Sequence, residues 1–163
     1  MDMTNGSITK EMTAGKYIFW DIDGTLAPYR VNDSVAQDYT VIGEQVPVEI
    51  SEHFFLLRKP SHHMQKVIAS CKAKENIVVG HFNYEQEEID KQLWLDKYYP
   101  VIRERFFIPY EASKADIILA YCAEYGIDLE DVIFVDDVIP FIREAELKGI
   151  RSYHISSFLD WEC

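Results

Sequence analysis

Along the chain, apolar residues gather in five short runs: KYIFW at 16–20, NIVV at 76–79, RFFI at 105–108, VIFV at 132–135 and IRSY at 150–153. Short apolar runs bounded by turn chemistry suit strands buried on both faces. Between them the apolar positions recur every three or four residues, which predicts helices. Residues 61–72 carry Met64, Val67, Ile68 and Cys71, and residues 85–98 carry Ile89, Leu93 and Leu95 and stop before Pro100. Residues 113–125 carry Ile117, Ile118, Ala120 and Tyr121 and end at Gly126; residues 140–148 end at Gly149, which serves as a C-cap. Strands alternating with helices predict an α/β fold: a three-layer, Rossmann-like parallel sheet with right-handed crossovers. Ligands of such sheets bind beyond the carboxyl ends of the strands, so the residues just after each run carry the most weight.

The alternation breaks once. Residues 27–60 follow the first strand without a crossover helix of their own. Within them, 39–42 and 46–50 flank Gly43 as a candidate hairpin, and 53–57 (HFFLL) reads as another strand. The segment is expected to form a small insertion over the end of the first strand, where a lid would sit. Residues 1–15 are polar and expected to be flexible, leaving 16–163 as one domain with this cap.

Composition narrows the function. Lys plus Arg number 16 against 28 Asp plus Glu, a formal charge of −12. That balance argues against duplex nucleic acid and against an anionic membrane surface, since both reward cations. No apolar run approaches the length of a membrane span, and the first sixteen residues lack the apolar core of a signal peptide. The three cysteines, Cys71, Cys122 and Cys163, form no CxxC pattern and read as reduced thiols. The expected location is cytoplasmic.

The strongest chemical signal is Asp21-Ile-Asp23-Gly24-Thr25, placed where the first strand ends. Positions i and i+2 of a strand share a face, so both acids would point at one spot. A plain strand-ending turn also uses Asp and Gly. A calcium loop counted from Asp21 needs Gly sixth and Glu twelfth but meets Leu26 and Asn32, so it fails. A second pair, Asp136-Asp137, ends the fourth run. Alone it reads equally well as the cap of the helix that follows. Two acid pairs at one sheet edge, however, repel unless a divalent cation gathers them, and oxygen-rich sites suit Mg²⁺. Ser113-Lys114 opens a helix. Lys there opposes the helix dipole, so it is either an ordinary surface charge or a fixed cation balancing the acids and holding an anionic substrate oxygen.

Motif, order and spacing together resemble the haloacid dehalogenase (HAD) superfamily of phosphohydrolases, of the small-cap type, over roughly residues 16–160. The resemblance implies Asp21 as nucleophile, Asp23 as general acid/base, Thr25 as a brace of the motif loop and Lys114 as the cation of the third motif. It also implies Mg²⁺ held by Asp21, the Asp23 backbone carbonyl and Asp137, with Asp136 nearby. The expected function is Mg²⁺-dependent hydrolysis of phosphomonoesters through an aspartyl-phosphate, on a phosphorylated small molecule or macromolecule. The second motif departs from the pattern: Gly80 stands where a Ser or Thr hydroxyl is usual, leaving a backbone N–H of Gly80 or His81, or the side chain of His81 or Asn83, to meet the phosphoryl group. That departure favours one rival, a non-catalytic binding module. A second rival, a phosphoryl-transferring mutase, would need a larger lid.

Weaker features have simpler readings. His62-His63 point apart on a helix and read as surface, His154 as a satisfied buried histidine, and Arg58-Lys59 as a solvated charge pair before Pro60. The acids at 85–88 fit the first turn of a helix.

Overall fold

Each of the five apolar runs becomes a strand of one sheet in the computed structural model, which describes residues 6–28 and 53–162. The strands are β1 (Tyr17–Trp20), β2 (Glu75–Phe82), β3 (Glu104–Pro109), β4 (Val132–Asp136) and β5 (Ser152–His154). Their order is β3-β2-β1-β4-β5 and every neighbouring pair is parallel. The helices are α1 (His62–Ser70), α2 (Glu85–Tyr98), α3 (Lys114–Tyr125) and α4 (Ile139–Leu147).

Side chains alternate across the strands, and two separate cores result. On one face Ile18, Trp20 and Val78 pack with Met64 and Val67 of α1 and Trp94 and Leu95 of α2. On the other, Phe19, Ile77 and Phe134 pack with Ile118 of α3 and Ala145 of α4. This is the three-layer α/β architecture the alternation predicts. Successive strands step from β1 out to β3, and the chain then returns to the far side of β1 to place β4. The order therefore reverses between β1 and β4, and the crevice of such a sheet opens there. Register carries the acids to that point. Trp20 pairs with Val135, and the Asp21 N–H donates to the Val135 carbonyl at 2.9 Å.

Three expectations change. Residues 53–57 are no strand: Phe54–Leu57 form a 3₁₀ turn with both phenylalanines buried and both leucines exposed, a spacing alternation does not allow. On α2 the inward face is not the aliphatic one, since Ile89 and Leu93 are 46% and 53% exposed, while Glu87, Asp90, Lys91, Trp94 and Leu95 are buried. Near the N-terminus, Ile8 is buried and its N–H donates to the Ser157 carbonyl, which ties this part of the expected flexible segment to the residues after β5. The candidate hairpin at 39–50 and most of the 27–60 insertion lie outside the described residues, as does Cys163. Among the described residues no helix is long and apolar enough to cross a membrane.

Candidate functional site

At the carboxyl ends of β1 and β4 the chain brings distant acids together. Ligand oxygens of Asp21, Asp136 and Asp137 lie within 4.8 Å of one another. Lys114, first residue of α3, reaches this cluster from across the sheet and donates to Asp21 Oδ1 at 2.6 Å and Asp136 Oδ2 at 2.8 Å. Ser113 starts α3 by accepting the Asp116 N–H, so the lysine stem leaves a capped helix end and points inward. Lys114 is buried, which removes the surface-charge reading. Burial pulls its pKa down, but the two carboxylates outweigh that and the net shift is upward. The ammonium is a fixed cation.

The acids respond to crowding. Burial raises the pKa of Asp21 to about 8, against the pull of Lys114 and with help from Asp136 and Asp23. Burial, followed by the charge of Asp136, lifts Asp137 to about 6. One oxygen of Asp137, Oδ1, is buried without a hydrogen-bond partner. Gly24 makes room for this carboxylate. Its φ is +80°, and a Cβ there would lie 2.1 Å from Asp137 Oδ2. The Gly of the first motif thus does two things: it turns the chain out of β1, and it leaves a cradle for an acid 113 positions later. Crowded acids, an orphaned buried oxygen and an all-oxygen donor set fit a hard divalent cation such as Mg²⁺.

Asp23 does not join that cluster. Arg58 donates through Nη1 to Asp23 Oδ1 and through Nη2 to the Ala27 carbonyl, and Lys91 donates to Asp23 Oδ2 at 2.7 Å. Lys91 also pairs with Glu87 at 2.7 Å and donates to the His81 carbonyl at 2.7 Å. Burial alone would raise the pKa of Asp23, but Lys91 and Arg58 overcome it and the net shift is downward. Arg58 is 2% exposed and Lys91 1%. Arg58 is thus a buried partner of the first motif and not a solvated charge before Pro60. Sequence reading gave Lys91 no role. Its signal is the Glu87–Lys91 spacing in phase with Trp94 and Leu95, which places an ion pair on the buried stripe of α2.

These groups line a cavity of about 510 Å³. Its wall includes Asp21, Asp23, Lys91, Lys114, Asp137 and His81. Gly80 is not part of it: a Cβ on Gly80 would face Ile22 and Phe107, on the other side of β2 from His81. His81 donates from Nε2 to the Ala112 carbonyl at 2.9 Å, and burial lowers its pKa. A carbonyl only accepts, so that nitrogen carries the proton. Asn83 lines the cavity too, its side-chain amide and N–H both given to Glu87. Thr25 is buried in the motif turn, outside the cavity wall, with its hydroxyl unpartnered. His62 and His63 do point apart, to Gln65 and to the Phe158 carbonyl, and His154 is satisfied but only half-buried, capping the turn after β5.

No protein-family profile matches the chain, and no curated protein does. Among solved structures, a HAD family enzyme of Bacteroides thetaiotaomicron, an aspartate-to-alanine mutant in complex with magnesium and inorganic phosphate, is 13% identical. The match covers 86% of this chain and 93% of that one, with a TM-score of 0.53. A hypothetical protein of Xanthomonas campestris is 17% identical over 93% of this chain and 70% of its own, with a TM-score of 0.48. The class the sheet defines is therefore a HAD-like α/β fold.

Proposed function

We propose that this chain is a Mg²⁺-dependent phosphomonoester hydrolase of the HAD type, working through Asp21. The observation that carries the reading is the convergence of Asp21, Asp136, Asp137 and Lys114, drawn from three separate segments, at the switch point of the sheet. The Bacteroides enzyme of the same fold holds magnesium and phosphate, which supports the assignment.

Asp21 supplies a carboxylate oxygen that attacks phosphorus in line. An acyl phosphate forms on Asp21 as the bond from phosphorus to the leaving oxygen breaks. Water then attacks phosphorus, the bond to Asp21 breaks, and inorganic phosphate leaves. Asp23 is the general acid/base of the pair of steps. Clamped by Arg58 and Lys91 it rests as a carboxylate, so the proton it passes to the leaving oxygen enters with the substrate's phosphate monoanion. Asp23 then takes a proton from the attacking water and returns it to the departing phosphate. Lys114 holds Asp21 in place and faces the phosphoryl oxygens with positive charge. Asp21, the Asp23 carbonyl and Asp137 would hold Mg²⁺, with Asp136 anchored beside them by Lys114. The ion would supply charge neutralisation of the phosphoryl group.

A binding module is the second reading, favoured by one observation: among the described residues no Ser or Thr lines the cavity. Turnover of 4-nitrophenyl phosphate separates the two. Hydrolysis that needs Mg²⁺, stops with chelator and is lost in Asp21→Asn supports the enzyme. Clean protein that turns over no member of a broad phosphate panel supports the binder.

A further inference from the structure

The cavity has a second face that the chemistry above leaves unused. Three rings from three elements form one wall: Phe141 of α4, His81 of β2 and Tyr110, which follows β3. Phe141 begins it, with its ring centroid 5.0 Å from Lys114 Nζ. The His81 ring lies 5.1 Å from that of Phe141, and the Tyr110 ring 5.3 Å from His81. The rings thus lead from the phosphoryl end toward solvent, where Tyr110 is 59% exposed. The rings are inclined by 61° (Phe141–His81) and 51° (His81–Tyr110), so they form a faceted aromatic wall on which a planar ring can stack against one face and meet the next ring edge-on.

Charge points the same way. Of the acidic and basic side chains along the cavity wall, four are carboxyl groups, Asp21, Asp23, Glu87 and Asp137, and two are ammonium groups, Lys91 and Lys114. Both ammonium groups already bridge two acids each. His81 adds no fixed charge, since burial lowers its pKa, and its Nε2–H is already given to the Ala112 carbonyl. Among the described residues the wall thus offers no spare cation for a second anionic group on the substrate.

We infer that the substrate is a phosphomonoester whose leaving group carries an uncharged planar aromatic ring, seated on the Phe141–His81–Tyr110 wall. The inference rests on the proposed function only in placing the phosphoryl group at Asp21. Phosphate esters bearing a carboxylate, or a second phosphate, are disfavoured by the same wall.

The test is binding, by calorimetry with Mg²⁺ present, of benzylphosphonate against cyclohexylmethylphosphonate, a pair alike in size and charge that cannot be hydrolysed. Benzylphosphonate is expected to bind about fivefold tighter, the scale of one stacked aromatic pair. The preference should persist in Tyr110→Phe, shrink in Tyr110→Ala and vanish in the Tyr110→Ala, Phe141→Leu double variant, with melting curves confirming the fold. 4-Carboxybenzylphosphonate should bind roughly tenfold more weakly than benzylphosphonate, because its carboxylate meets acids. Equal affinities for the ring and its saturated partner, a preference untouched by Tyr110→Ala, or undiminished binding of the carboxylated ligand would overturn the inference. Absence of turnover across the broad phosphate panel would overturn the hydrolase reading instead, and leave the binding comparison to be judged by itself.

Discussion

Asp23 and Lys91 meet at 2.7 Å, and the same ammonium is shared with the buried Glu87. The pair ties the motif loop after β1 to the middle of α2. Arg58 closes the clamp from the other side, so the end of the 27–60 insertion is also fixed to the first motif. Two acids of one motif therefore meet opposite fates: burial lifts the pKa of Asp21 despite Lys114, while Lys91 and Arg58 lower that of Asp23.

Removing one member of this buried network should cost more than removing two. Lys91→Met leaves Asp23 and Glu87 without their common cation, and truncating one partner of a buried ion pair typically costs about 3–5 kcal/mol. Denaturant unfolding should show that loss. Adding Glu87→Gln should recover part of it, since one of the stranded charges is gone.

Asp21→Asn should separate stability from activity. The asparagine is uncharged where burial pushes the native carboxyl up to about 8, so the metal-free variant should melt no lower than the native protein at pH 8. Turnover should fall by roughly a thousandfold or more if Asp21 is the nucleophile, as proposed. Melting and 4-nitrophenyl phosphate hydrolysis on one preparation check both halves.

Gly24→Ala should damage the cation site without touching an acid. The added Cβ would stand 2.1 Å from Asp137 Oδ2 at a φ of +80°. A non-glycine residue held in that region costs about 1–3 kcal/mol. Melting should report the destabilisation, and calorimetric titration with Mg²⁺ should report weaker affinity than in the native protein.

Mg²⁺ stabilisation should grow with pH. Asp21 and Asp137 have folded pKa values of about 8 and about 6, above the unfolded value of 3.8. Without metal, the folded state therefore keeps protons that the unfolded chain releases, and these two groups make stability fall as pH rises from about 4 to about 8. Mg²⁺ needs both ionised, so its binding should release protons and tighten over the same window. At a hundred times the dissociation constant a ligand adds about 2.7 kcal/mol. Melting with and without Mg²⁺ at pH 5 and pH 8 should give the larger upward shift at pH 8.

How much of this was legible in the sequence depends on what each signal encodes. The five strands and four helices follow from period and length. The Asp21 and Asp136 pairs stand out because acids directly after buried apolar runs are costly without a partner. Lys114 is legible through its place in the motif order. Arg58 and Lys91 are not, since a buried cation looks in sequence like any surface one, and only the fold shows which side of α2 turns inward. The same reason misassigns that helix: Ile89 and Leu93 mark the aliphatic stripe, yet the buried stripe is the one that carries the ion pair. Phe54–Leu57 mislead for a related reason, since four apolar residues in a row fit a strand or a turn equally.

The most direct test of the central claim traps the covalent intermediate. Protein incubated with Mg²⁺ and 4-nitrophenyl phosphate, then quenched and treated with borohydride, should yield homoserine at position 21 by peptide mass spectrometry, and none without Mg²⁺. Sustained Mg²⁺-dependent turnover with the reduced residue at another position, or retained in Asp21→Asn, would contradict it.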